Sequence, residues 1–337
     1  MASDAKELKW ILRERGFSET ALEAAWPAWW SDDAEGSASA NTELRFSLAR
    51  KLGLDPRSLI EEGQPRFVWR EAKFKRLTGE TDFERSALSS FGISIGRALV
   101  SSTQPGPSIE GMSATTLRRG ILASQPFVRL VDLLGLCWAV GLPVIHLRIF
   151  PLSAKHMCAM GFHIPGRYAI LLGKDSSYPA SIAYYLAHEI GHAALGHFKE
   201  SAAIVDLQDP LEDQQTSDDE ERAADSYALE LLTGEPDLAV ATEAKRFTAA
   251  HLARNLLETS RSVRIEPGTL ALCFGHSTQD WAKTQAAMKI IYAKPQAVWS
   301  QVNHVAMREI NWSVMQDDVA SFVRAVMGGI SDADSRD

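Results

Sequence analysis

Two histidines four residues apart enclose a glutamate in the run Tyr185-Leu186-Ala187-His188-Glu189-Ile190-Gly191-His192. On an α-helix residues i and i+4 share a face, so both imidazoles can reach one metal ion. Zinc suits such a pair, because imidazole nitrogen binds it well and the ion brings no redox chemistry. One zinc ion per chain is expected. Glu189 stands one step round the helix from His188, where it can flank water that the ion acidifies to a pKa of roughly 7. It can take a proton as that water attacks a peptide carbonyl and pass it to the leaving amine. Ile182, Tyr184, Tyr185 and Leu186 precede the motif and small residues follow it, so the helix reads as buried. Buried histidines and a buried glutamate need partners. The competing reading is a surface helix with chance histidines.

A catalytic zinc takes a third protein ligand and keeps one position open. His197 follows His192 by five residues, and at roughly 100° per residue it points nearly opposite His188. It is therefore not expected to bind the ion. The better source is a second helix carrying Glu221-Arg222-Ala223-Ala224-Asp225. Glu221 can complete the site, and Asp225, one turn on, can accept the hydrogen bond from the far nitrogen of a ligating histidine. Glu220 is the rival for Glu221, but only Glu221 has an aspartate at i+4. Asp218, Asp219 and Glu220 read as acids complementing a helix N-terminus.

This pattern resembles the ImmA/IrrE family of metallopeptidases. The residues that carry the resemblance are His188-Glu189-Ile190-Gly191-His192, then Gly196-His197, then Glu221, Ala224-Asp225, Tyr227-Ala228 and Leu231-Leu232. It covers about residues 115–235. The family commonly has Asn or Asp at the position of Asp225 and Phe at that of Tyr227. Thr233-Gly234 stands here where the family usually has Met-Pro. The resemblance implies a zinc site with a glutamate third ligand. It also implies cleavage of a regulatory protein, typically a transcriptional repressor, in stress response or in phage or mobile-element control.

These side chains need a scaffold. Tyr168–Leu172 reads as a strand ahead of the active helix, with Val144–Phe150 and residues near 157–163 as further strands. Helices are expected at 179–198 and 218–232. An edge strand here could pair with extended substrate backbone through Tyr168, Ala169 and Ile170, the alternative being an ordinary half-buried strand. His156, His163, Tyr184, Tyr185 and Tyr227 are available as donors to a transition state, with Tyr227 reading rather as core. Cys158 could cap the open zinc position as an inhibitory thiolate, or be a buried structural cysteine. The acidic loop 205–217 joins the two ligand helices and could act as a lid or simply be solvated.

Helices are expected at 5–26 with a break at Gly16, at 43–52 and 56–62, at 69–78 and 82–100, and over 115–140, where Pro126 would open a second helix. Residues 31–40 read as a loop. Pro105 and Pro107 mark a linker near 101–112. The expected fold is thus α+β: a helical domain at 1–104, a zincin-like core at 113–235 with a small sheet packed on the active helix, and a helical region at 236–337.

The chain has 337 residues, 45% hydrophobic and 23% charged, enough to build a sizeable core. Its net charge of −8 is accounted for by the acids of 205–221, where no Lys or Arg stands. Global charge therefore argues neither for nor against a polyanionic partner. Cys137, Cys158 and Cys273 are too few for a disulfide framework and fit a reducing compartment. No signal peptide is read at the start, and the most apolar stretch, Leu133–Ile145, is too short to span a bilayer, so a cytoplasmic protein without membrane contact is expected.

Leu48–Leu59 resembles a repressor-type helix-turn-helix core. Just after it, Arg66, Arg70, Lys73, Lys75 and Arg76 are interleaved with aromatics and could hold nucleic acid, the alternative being a solvated basic face. A DNA-binding regulator with a structural or degenerate metal site is the competing class, and a ligand-switched sensor peptidase combines the two.

Overall fold

The computed structural model describes residues 4–68, 72–75, 81–153, 157–198, 201–207, 218–241 and 247–329. The N-terminal helices are α1 (Asp4–Glu14), α2 (Glu19–Ala25), α3 (Ala38–Leu52), α4 (Pro56–Glu61) and, after strand β1 (Ala72–Lys75), α5 (Asp82–Ser101). Next come α6 (Ala114–Leu122), α7 (Leu130–Ala139), β2 (Val144–His146), β3 (Ala159–Ile164), β4 (Arg167–Leu172), α8 (Pro179–Leu195), β5 (Ala203–Asp206) and α9 (Asp219–Thr233). The chain continues through α10 (Ala249–Val263), α11 (Pro267–Thr278), α12 (Trp281–Ile291), α13 (Val298–Glu309) and α14 (Asp317–Val326). The protein is α+β, mostly helical around one small mixed sheet.

That sheet has the order β1-β5-β3-β4-β2, with β1 parallel to β5, β2 parallel to β4, and the other neighbours antiparallel. Side chains alternate across it, as strand geometry requires. Met160 and Phe162 of β3 face α5, where Gly92 and Gly96 leave them room; a Cβ on either glycine would stand 2.1 Å or 2.5 Å from those side chains. Ala159, Ile170, Leu172 and Ile204 face the other way, into a core shared with α8 and α9. The sheet is the middle of three layers, with α5 on one face and the motif helix on the other.

Helix α8 is apolar nearly all round, as a helix must be to sit inside a core. Pro179 opens it and Gly196 closes it, in the left-handed conformation at φ 73°. Helix α9 packs closely on it because Gly191 has no side chain: a Cβ there would lie 3.2 Å from both Ala224 O and Tyr227 Cβ.

Several expectations are corrected. Residues 72–75 are not helical: Ala-Lys-Phe-Lys alternates with period two and forms β1, and the other residues of the helix expected at 69–78 lie outside the described residues. Ala203–Asp206, taken partly as acidic loop, is the strand β5. The strand at 144–150 stops at His146, and α3 begins at Ala38 inside the expected loop. Pro126 does not open α7, which starts at Leu130 behind a capping interaction between Arg129 and Asp132. Apolar clusters cross residues 104–113 and 235–236, where the expected domains meet. One apolar cluster runs from Ala5 in α1 through the sheet to Met327 after α14, and β1 is part of the central sheet. Helices α10–α12 form a cluster of their own with Tyr178 and Ala180. The apolar stretch Leu133–Ile145 divides into α7 and β2 and is largely core. Among the described residues no helix is long and apolar enough to cross a membrane.

Candidate metal centre

His188, His192, Asp206 and Glu221 present one ligand atom each within 4.8 Å of one another, and all four side chains are buried. The histidines come from one face of α8, Glu221 from the first turn of α9, and Asp206 from the end of β5. The two Nε2 atoms are 3.1 Å apart. Glu221 Oε1 lies 3.3 Å from His192 Nε2, and its Oε2 3.5 Å from His188 Nε2. Asp206 Oδ2 lies 3.4 Å from His188 Nε2. Four donors about 2.0–2.1 Å from a zinc ion in tetrahedral array are separated by about 3.3 Å, so these distances fit such an ion.

The polar accounting points the same way. Among the described residues, Glu189 and Asp206 bury all four carboxylate oxygens without a hydrogen bond. Buried carboxylates that lack hydrogen bonds are costly, and a divalent cation offsets the cost. Burial, then the facing charge of Asp206, pushes Glu189 well above the usual carboxylate range. Burial alone would depress the His188 imidazole, but Asp206, Asp225 and Glu221 around it outweigh that and hold it well above its ordinary value. For Glu221 burial works upward and His188 and His192 pull harder downward, leaving it strongly depressed.

The far nitrogens of both histidines are held. Asp225 Oδ1 lies 2.8 Å from His188 Nδ1 and accepts a 2.9 Å hydrogen bond from the Tyr184 hydroxyl. His192 Nδ1 lies 2.8 Å from His197 Nδ1. Burial, together with the neighbouring His192, holds His197 down to about 4, so it is neutral and can accept the His192 proton. This leaves Nε2 of each histidine turned to the common point.

The structure thus brings together His188, Glu189, His192, Glu221 and Asp225, which the spacing singled out, and keeps His197 outside the four. Asp206 was missed as a donor. Its only signal was a carboxylate closing a short apolar run, Ala203-Ile204-Val205, and that run was cut by reading a loop from residue 205.

Other expectations do not survive. Strand β4 is paired with β3 along its whole length and with β2 over Ile170–Leu172, so Ile170 is inside the sheet, while Tyr168 and Ala169 lie beyond the β2 ladder. The Tyr168 hydroxyl donates to Glu110 instead. The Tyr184 hydroxyl is committed to Asp225, and that of Tyr227 to Met112 O. Cys158 lies outside the four-donor group, lining a separate cavity with Arg148, Phe150, Lys174 and Leu207. Among the described residues of the basic run, Lys75 is buried among acids of α9, Lys73 pairs with Glu220, and Arg66 pairs with Glu62 at 2.6 Å. Arg70, Arg76 and His156 lie outside the described residues. In the helix-turn-helix-like stretch α4 is only six residues long, and Lys51 points inward to donate to Ala25 O.

No curated protein and no solved structure matches the chain. The family model for Peptidase U49 matches residues 175–284, from just ahead of α8 into α12. That span contains all four donors and Glu189, and it supports a peptidase family without carrying the narrower ImmA/IrrE resemblance.

Proposed function

We propose that the chain is a zinc-dependent endopeptidase with a zincin-like core, in which His188, His192 and Glu221 hold the ion and Glu189 is the general base. The observation that carries this reading is the convergence of donors from α8, β5 and α9 on one buried point beside a carboxylate that makes no hydrogen bond. Zinc, when bound, polarises water and the scissile carbonyl and offsets developing negative charge. Glu189 takes the proton of the attacking water and delivers it to the leaving amine nitrogen. Asp225, itself held by Tyr184, keeps the proton of His188 on Nδ1, and His197 does the same for His192. The substrate of a peptidase is a protein; that it is a repressor rests on the family resemblance alone.

Purified protein is expected to hold close to one zinc per chain. Glu221→Ala should lose it, while Glu220→Ala and Glu189→Gln keep it. In a cell lysate, labelling of new protein N-termini should reveal cleavage by the wild type and none by Glu189→Gln. A wild-type chain that holds no zinc and takes up none would sink the proposal. A second reading, a closed structural site, is favoured by Asp206 as a fourth donor, since structural zinc is fully ligated by protein. It predicts that wild type and Glu189→Gln both leave the lysate uncut.

A further inference from the structure

Lys75 stands on β1, far upstream of the histidine motif, yet it ends at the metal centre. The parallel register pairs Lys75 with Asp206 across the β1–β5 ladder. Its side chain is 3% exposed. Three acids at the start of α9 converge on its ammonium: Asp218, Glu220 at 3.0 Å and Glu221 at 3.6 Å. Asp218 is also the cap of α9, accepting from Glu220 N. Lys75 therefore ties the first turn of α9 to the sheet and lies next to Glu221 Oε1, the oxygen facing His192.

Charge balance gives this placement a purpose. Glu189, Asp206 and Glu221 bring three carboxyl groups to one buried pocket, and Asp218 and Glu220 add two more at its border. Lys75 sets an ammonium among these carboxyl groups, in a setting where screening by water is weak.

We propose that Lys75 is a positioning residue of the metal centre, which orients Glu221 and neutralises the excess carboxylate charge, so that the N-terminal segment through β1 is an integral part of the peptidase. This inference rests on the zinc-peptidase reading above.

The test is zinc affinity of the full chain, measured by competition with a chromophoric chelator. Lys75→Gln is the main variant: its amide can still donate to Asp218 and Glu220, so the helix stays tied while the charge is gone. Its affinity should fall about 10–100-fold, the usual effect of removing a partner of a metal ligand. Lys75→Arg keeps the charge and should stay within about threefold of wild type. Lys73→Gln, which removes a half-exposed partner of Glu220, should match wild type. Wild-type affinity in folded Lys75→Gln, or a loss in Lys75→Arg as large as that in Lys75→Gln, would overturn the assignment. Absence of zinc binding by the wild type itself would overturn the underlying reading, and the inference with it.

Discussion

Glu189 Oε2 lies 3.0 Å from the point a Cβ would occupy on Gly161, and the Phe198 ring lies closer still, at 2.4 Å. Glu189, the proposed general base, is seated on a bare patch of β3 that only glycine can provide. Gly161→Ala must push the Glu189 carboxylate or Phe198 aside. A misplaced base about 1 Å out of line costs on the order of 100-fold in turnover. The variant should keep its zinc, because the atoms nearest the added Cβ belong to Phe198 and Glu189, and lose about 1–3 kcal/mol of stability to overpacking. Metal analysis alongside a cleavage assay checks this; unimpaired cleavage would show that Glu189 is not held by this contact.

Asp206 decides whether the centre is open. With four protein donors a tetrahedral ion has no place for water, and with three it has one. Asp206→Ala is expected to retain close to one zinc per chain and to cleave at least as fast as wild type. Loss of zinc in this variant would instead make Asp206 an indispensable ligand and favour the structural-site reading.

The Tyr184–Asp225–His188 chain should be felt as metal affinity. Asp225→Ala removes the group that fixes the His188 tautomer and is expected to weaken zinc binding about 10–100-fold. Tyr184→Phe removes only the hydrogen bond to Asp225 and should cost less. A chelator titration of the two variants gives the order, and equal affinity in Asp225→Ala and wild type would exclude the role.

Away from the site, Glu266 offers a pH prediction. It caps α11, accepting from Thr269 N at 2.7 Å and from the Tyr292 hydroxyl at 2.8 Å, and is almost wholly buried. Burial raises its pKa above the ordinary 4.5 despite those hydrogen bonds. A carboxyl raised in the folded state favours folding when protonated. That contribution is complete below the unfolded value and is lost as pH rises through the folded one. Glu266→Gln keeps the acceptor oxygen and has no charge to bury. It should therefore melt higher than wild type near neutral pH, with the difference shrinking toward pH 4. Thermal melts across that range measure it; a constant difference would mean that Glu266 does not titrate anomalously.

The amino-acid sequence by itself determined the parts of the centre that local geometry controls. Residues four apart on a helix must share a face, so His188 with His192, and Glu221 with Asp225, could be paired from spacing alone. The same holds for the ends of α8 and α9, set by Pro179, Gly196, Asp218 and Gly234. Only the tertiary structure decided what meets across the sheet. Asp206 and Lys75 reach the centre because β5 lies between β1 and β3 in one particular register, and a one-residue slip would turn both away. The interior place of β4 and the seating of Glu189 on Gly161 depend on the same strand order. Strand pairing joins segments distant in the chain, and nothing in the spacing of residues within either segment encodes which neighbour it will find.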